Sequence, residues 1–212
     1  MGLDLVVLGK PKIGHESEFA SGLAKVSRGD EMSEAETSRF LEITTQPYES
    51  LGAPQVGFSP AADEWIVNMY REKDDEKPAA QIIDENRGFY VLRLLDECDG
   101  IPQFSHANLY DGVDDTSFRG AFLDQCKSFL DKANLDRAWT KIMSPDEAVN
   151  YGQALLAAAT QTPSPQKSGF FNKLFSGSKQ PISFEEQREI LKAAGKWYMF
   201  WGNRGHHIQA YY

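Results

Sequence analysis

The stretch LDLVVLG, residues 3–9, decides the fold class. Its aliphatic and β-branched side chains run unbroken from Leu5 to Leu8 and stop at Gly9-Lys10-Pro11, the pattern of a short buried strand. Most of the remaining clear patterns in the chain are helical. One strand therefore turns an all-helical expectation into an α+β one.

Downstream of the loop KPKIG, Phe19, Leu23 and Val26 recur at helical spacing, predicting a helix over 15–27. Ser33 followed by Glu36 has the form of a capping box, and Phe40, Leu41 and Ile43 supply an apolar face up to Pro47. Three prolines and two glycines make 47–60 a loop, after which Ser59 as cap and Pro60 at the first position open a helix carrying Trp65, Ile66, Met69 and Tyr70. GFYVLRLL, residues 88–95, fits strand or helix; its aromatic and Val content favours a second strand. Phe118, Phe122, Cys126 and Phe129 then define a helical stripe ending near Ala133.

The strongest start signal is Ser144-Pro145-Asp146-Glu147, with a cap, a proline at the first position and acids at the positive end of the helix dipole. Ser183 and Glu186 repeat the box before a last helix whose face includes Ile190, Ala194, Trp197 and Trp201. Four rings in Trp197, Tyr198, Phe200 and Trp201 diverge by about 100° per residue, so they cannot share one face. Part of that helix is expected to need a cover beyond the central core.

Between the last two helices, 161–182 reads as linker, yet SGFFNKLFSGSK within it carries Phe170, Phe171, Leu174 and Phe175 as one helical stripe. So short a segment needs another surface to order it. The surfaces open to it are the aromatic side of the last helix, a groove on a protein partner, or an anionic membrane. Burying those four side chains contributes on the order of 6–10 kcal/mol before ordering entropy, which favours an internally docked, releasable clip. The membrane is disfavoured because three lysines on an acidic protein anchor weakly.

The composition, 212 residues at 41% apolar, suits one sizeable core, or one core with a small satellite. The N-terminal apolar run is too short for a membrane span, no basic region precedes it, and Val6 stands where myristoylation requires Ser or Thr. A cytoplasmic protein is expected. Cys98 and Cys126 form neither a disulfide framework nor a zinc motif. The net charge of −9 argues against a nucleic-acid partner. From Asp96 to Asp136 nine acids face three bases, a net of −6, whereas 161–181 carries three lysines and no acid. Acidic stretches attract basic partners.

No catalytic constellation reads out. His15-Glu16-Ser17-Glu18-Phe19 lacks the second histidine of a zinc-protease helix, and Gly57-Phe58-Ser59-Pro60-Ala61 lacks the last glycine of a nucleophile elbow. Asp111, Asp114 and Asp115 offer hard oxygen ligands, but at spacing that fails a calcium loop, and Arg119 suits bracing that loop as well as binding a ligand. His106, His206 and His207 form no recognisable metal set.

The expectation is thus an α+β fold, a mainly helical single domain with a small β-sheet. It divides into a main body over 1–160, a flexible linker with the apolar clip over 161–182, and a C-terminal aromatic helix over 183–212 packing on the body. The expected function is a non-enzymatic protein-binding module of inhibitor or immunity type that meets a basic protein partner through an acidic surface. Its candidate contact residues are Asp111, Asp114, Asp115 and Arg119, with Phe170, Phe171, Leu174 and Phe175. No cofactor, metal or nucleic acid is expected. The alternative is a metal- or phosphate-handling enzyme using the Asp111–Asp115 loop.

Overall fold

A computed structural model describes residues 2–73, 76–95, 117–163 and 182–212. The decisive strand forms as β1 (Asp4–Val7), with Leu3, Leu5 and Val7 turned into the core. Its partner is β5 (Ile208–Tyr211), antiparallel, pairing Val7 with Ile208 and Asp4 with Tyr211. A short β4 (Ile142–Met143) adds to the far side of β5, so the two chain ends are stitched together in a sheet of order β1-β5-β4. A two-residue ladder, β2 (Lys10–Pro11) with β3 (Thr44–Thr45), is separate. The fold is α+β and mainly helical.

The three serine boxes mark real helix starts. Ser33, Ser144 and Ser183 each accept from the amide three residues on, while Glu36, Glu147 and Glu186 return to the cap amide at 2.9, 2.8 and 2.7 Å. The helices they open are α2 (Glu34–Glu42), α7 (Pro145–Ala159) and α8 (Phe184–Asn203). The helix predicted over 15–27 is α1 (Glu16–Arg28). In the main core, α7 and α8 lie against each other and against the inner face of β1 and β5. A smaller cluster of Val56, Ala62, Ile66, Ile82 and Val91 gathers α4 (Pro60–Arg71) and α5 (Ala79–Glu85).

Several local expectations change. The segment 47–60 is not all loop, because Pro47–Leu51 makes a short helix, α3, closed by Gly52 in the left-handed region. Ser59 does not cap α4 with its side chain; the carboxylate of Asp63 instead takes the amide of Gly57 at 2.6 Å. Residues 88–95 hold only isolated bridge positions, at Tyr90, which pairs with Gln55, and at Val91, in place of a strand. Val91 and Leu92 are adjacent and both fully buried, which an alternating strand cannot provide, and a 3₁₀ turn follows at Leu92–Leu94.

The stripe from Phe118 to Phe129 is not one helix either. Phe118 pairs with Leu5 through two 2.8 Å backbone hydrogen bonds, 3₁₀ turns carry Gly120–Gln125, and the α-helix α6 starts only at Lys132. Gly120 explains the departure, since a Cβ there would stand 2.7 Å from Leu3, so this strand of chain is pressed flat on β1.

Described residues meet the aromatic end of α8 on several sides. Trp197, Tyr198 and Trp201 are fully buried and Phe200 nearly so. Their rings meet Phe118, Tyr151 and His206 at centroid distances of 5.8, 4.9 and 5.4 Å, from three different sides. The divergent rings are all buried because α8 packs within the main core, with Phe118, Tyr151 and His206 against it.

Candidate functional site

Of the residues singled out from sequence, Asp111, Asp114 and Asp115 fall in 96–116 and Phe170, Phe171, Leu174 and Phe175 in 164–181, outside the described residues. Arg119 is described. It is exposed beside the Phe118–Leu5 bridge, with its guanidinium 5.6 Å over the ring of Phe122. His15 and Glu18 lie together on the surface near Arg39, as part of an ion-pair cluster. Among the described residues no group of three or more His, Cys, Asp or Glu is placed to hold a metal.

Two concave features stand out. The first lies between α1 and α2, a groove of about 350 Å³ with Gly22, Met32, Phe40 and Ile43 in its wall. The ion pairs Lys25–Glu36 and Arg39–Glu18 flank it. Lys25 and then the Ser33 amide and hydroxyl hold the Glu36 carboxyl down, to about 2. The second is a cleft of about 520 Å³ between α3 and the end of α8, bordered by Ser50, Gly52, Pro54, Leu94, Phe200 and Arg204.

Behind that second cleft is a constellation the sequence did not disclose. His206, completely buried in the turn between α8 and β5, places Nδ1 2.8 Å from the carbonyl of Leu8 and Nε2 2.7 Å from the hydroxyl of Ser50. Ser50 in turn donates to the carbonyl of Pro47 at 2.6 Å. Residues 156 positions apart meet here because β5 folds back on β1, carrying the turn before it to the end of α3. Lys10 fixes the same turn by donating to the carbonyl of Arg204 at 3.0 Å, and the Arg204 guanidinium lies 3.7 Å over Phe200.

Burial holds His206 well below its ordinary value, at about 4. The Leu8 carbonyl pulls the other way, and the positive charge of Lys10 and Arg204, with His207, adds to the lowering. The imidazole is neutral at pH 7. A hydroxyl against a neutral, carbonyl-oriented imidazole is the first half of a nucleophilic pair. The second half is not assembled. The Ser50 hydroxyl already has Pro47 as acceptor, and the amides that follow it, Gly52 and Ala53, donate to Glu49 and Tyr48 at 3.1 and 3.5 Å instead of facing an oxyanion. The geometry is that of a tie between α3 and the turn before β5.

In sequence His206 belongs to no metal set, and the structure buries it with a neighbour within hydrogen-bond distance of each ring nitrogen. No local signal points to Ser50; only the β1–β5 pairing reveals it. No protein-family model matches the chain, and comparison with curated proteins and with solved structures gave no match.

Proposed function

We propose that the protein is a non-enzymatic protein-binding module, of inhibitor or immunity type, whose partner is a basic protein. The observation that carries this reading is the charge of 96–136. By composition, 117–136 is balanced at three acids and three bases, so the whole excess lies in 96–116, with six acids and no Lys or Arg. The described residues that flank that stretch in sequence are Leu95, next to the cleft residue Leu94, and Ser117, next to the β1-paired Phe118. An acidic stretch raises the encounter rate with a basic surface and suppresses acidic competitors.

Affinity capture from the native host, comparing the intact chain with Asp111→Asn, Asp114→Asn and Asp115→Asn combined, tests this. A stoichiometric basic partner, weakened by salt and lost with the triple variant, supports the reading. If neither chain retains a partner, the reading fails. A metal- or phosphate-handling site in the Asp111–Asp115 loop then becomes the one to test, by titrating the intact chain with Mg²⁺ and with inorganic phosphate.

A further inference from the structure

Four groups stand in a row through the wall of the second cleft: the Leu8 carbonyl, the His206 imidazole, the Ser50 hydroxyl and the Pro47 carbonyl. The gaps between them are 2.8, 2.7 and 2.6 Å. Each gap is short enough to need a hydrogen in it. Both ends of the row are carbonyls, which only accept, so every hydrogen must come from the two side chains between. A neutral imidazole brings one and a hydroxyl brings one. Three gaps therefore share two hydrogens.

With Nδ1–H directed at Leu8, Nε2 presents a lone pair to Ser50. The hydroxyl can then serve Nε2 or Pro47, leaving two bare acceptors facing each other across the gap it does not serve. The other tautomer satisfies both Ser50 contacts but turns a nitrogen lone pair on Leu8. Only the imidazolium fills the row, with Nδ1–H to Leu8, Nε2–H to Ser50 and Ser50 O–H to Pro47. We infer that this row is a proton-operated latch, closed along its full length only when His206 carries both ring hydrogens and opening at Ser50 when it carries one.

The opening falls at Ser50 because its neighbours are held harder. Leu8 is fixed next to β1, where its own amide donates to His207 at 2.9 Å, and the His206 ring packs edge-on against Trp201. Ser50 sits on a helix of five residues and can rotate about one side-chain bond. The charged and titratable groups facing His206 are Lys10 from β2, Arg204 from the end of α8 and His207 at the start of β5. The acid of α3, Glu49, is turned back onto the amide of Gln46 at 2.9 Å. Burial first, and then these positive neighbours, resist the third hydrogen, so the latch closes only in acid. Ser50 borders the cleft, and closing the latch fixes that wall.

An NMR titration of the His206 ring in the intact chain, assigned with His206→Gln, tests the latch against Ser50→Ala. The latch predicts that removing the hydroxyl, the acceptor for the third hydrogen, weakens proton binding by about tenfold, roughly one unit downward. Ser50→Thr, which keeps the hydroxyl, should titrate like the parent and guards against a merely misfolded Ala variant. Exchange of the Ser50 and Leu51 amides, corrected for intrinsic rates, should slow as pH falls through the His206 transition. An unchanged or raised His206 titration in Ser50→Ala would overturn the proposal, because Ser50 would then be a simple donor to a neutral ring.

Discussion

Gly152 and Gly195 meet backbone to backbone where α7 crosses α8. A Cβ on Gly152 would lie 2.6 Å from the carbonyl oxygen of Gly195, and one on Gly195 would lie 2.9 Å from that of Gly152. Gly202 repeats the relationship one contact along, where a Cβ would lie 2.7 Å from the carbonyl oxygen of Pro145. Glycine costs each helix roughly 1 kcal/mol relative to alanine, so the close approach must be worth more than that.

Gly152→Ala therefore pits a local helix gain against a clash with a carbonyl that cannot rotate away. The clash should win. Separating the two central helices loosens the core around Tyr151 and Tyr198, and overpacking of this kind costs about 1–3 kcal/mol. Urea unfolding should show a lower midpoint at unchanged slope. A midpoint equal to or above the parent would mean that the helices part without loss.

The capping boxes give an independent check on the same pair. Ser144 starts α7 near Gly202, and Ser183 starts α8 at the opposite end, where Arg188 reaches the Gln161 carbonyl at 3.4 Å. Ser144→Ala and Ser183→Ala should each lower stability by about 1 kcal/mol. Being at opposite ends, they should add in the double variant. A double variant no worse than either single one would contradict independent caps.

These caps are also where sequence and structure agree most closely, for a physical reason. A box is made of residues three apart and depends on nothing distant, so Ser33, Ser144 and Ser183 could be read directly. β1 was legible because its strand character is local, but its partner was not: IQAY at 208–211 has nothing in itself to say that it returns to residue 4. The failures share that origin. Phe118 to Phe129 has a helical period, yet contact with Leu3 and Leu5 flattens it. The Ser50–His206 tie was invisible because it exists only once β5 has closed on β1. The acidic stretch was legible in composition alone, and composition places its charge without giving its surface.

Cys126 should behave as a core group and not as a reactive thiol. Its sulfur lies 3.6 Å from the carbonyls of Phe122 and Gln187, and burial pushes the thiol up to about 12. In a Cys98→Ser background, alkylation at pH 8 should be negligible in the folded protein and rapid in denaturant. Prompt labelling without denaturant would place Cys126 in solvent at least part of the time.

Stability itself should depend on pH through His206. Its folded value is depressed to about 4 from an ordinary 6.5, so between those values the unfolded chain binds the proton that the folded chain refuses. Folding stability is fully present above about pH 6.5 and is lost as pH falls toward 4, by up to about 3 kcal/mol from this group. Carboxylates titrate at the lower end of the same window, so the informative quantity is the difference between the parent and His206→Gln. Urea unfolding at pH 7, 6, 5 and 4.5 should show the parent falling more steeply than the variant from pH 6 downward, even though the variant starts lower. Parallel curves would mean that His206 titrates alike in both states, which its complete burial between β1, α3 and α8 argues against.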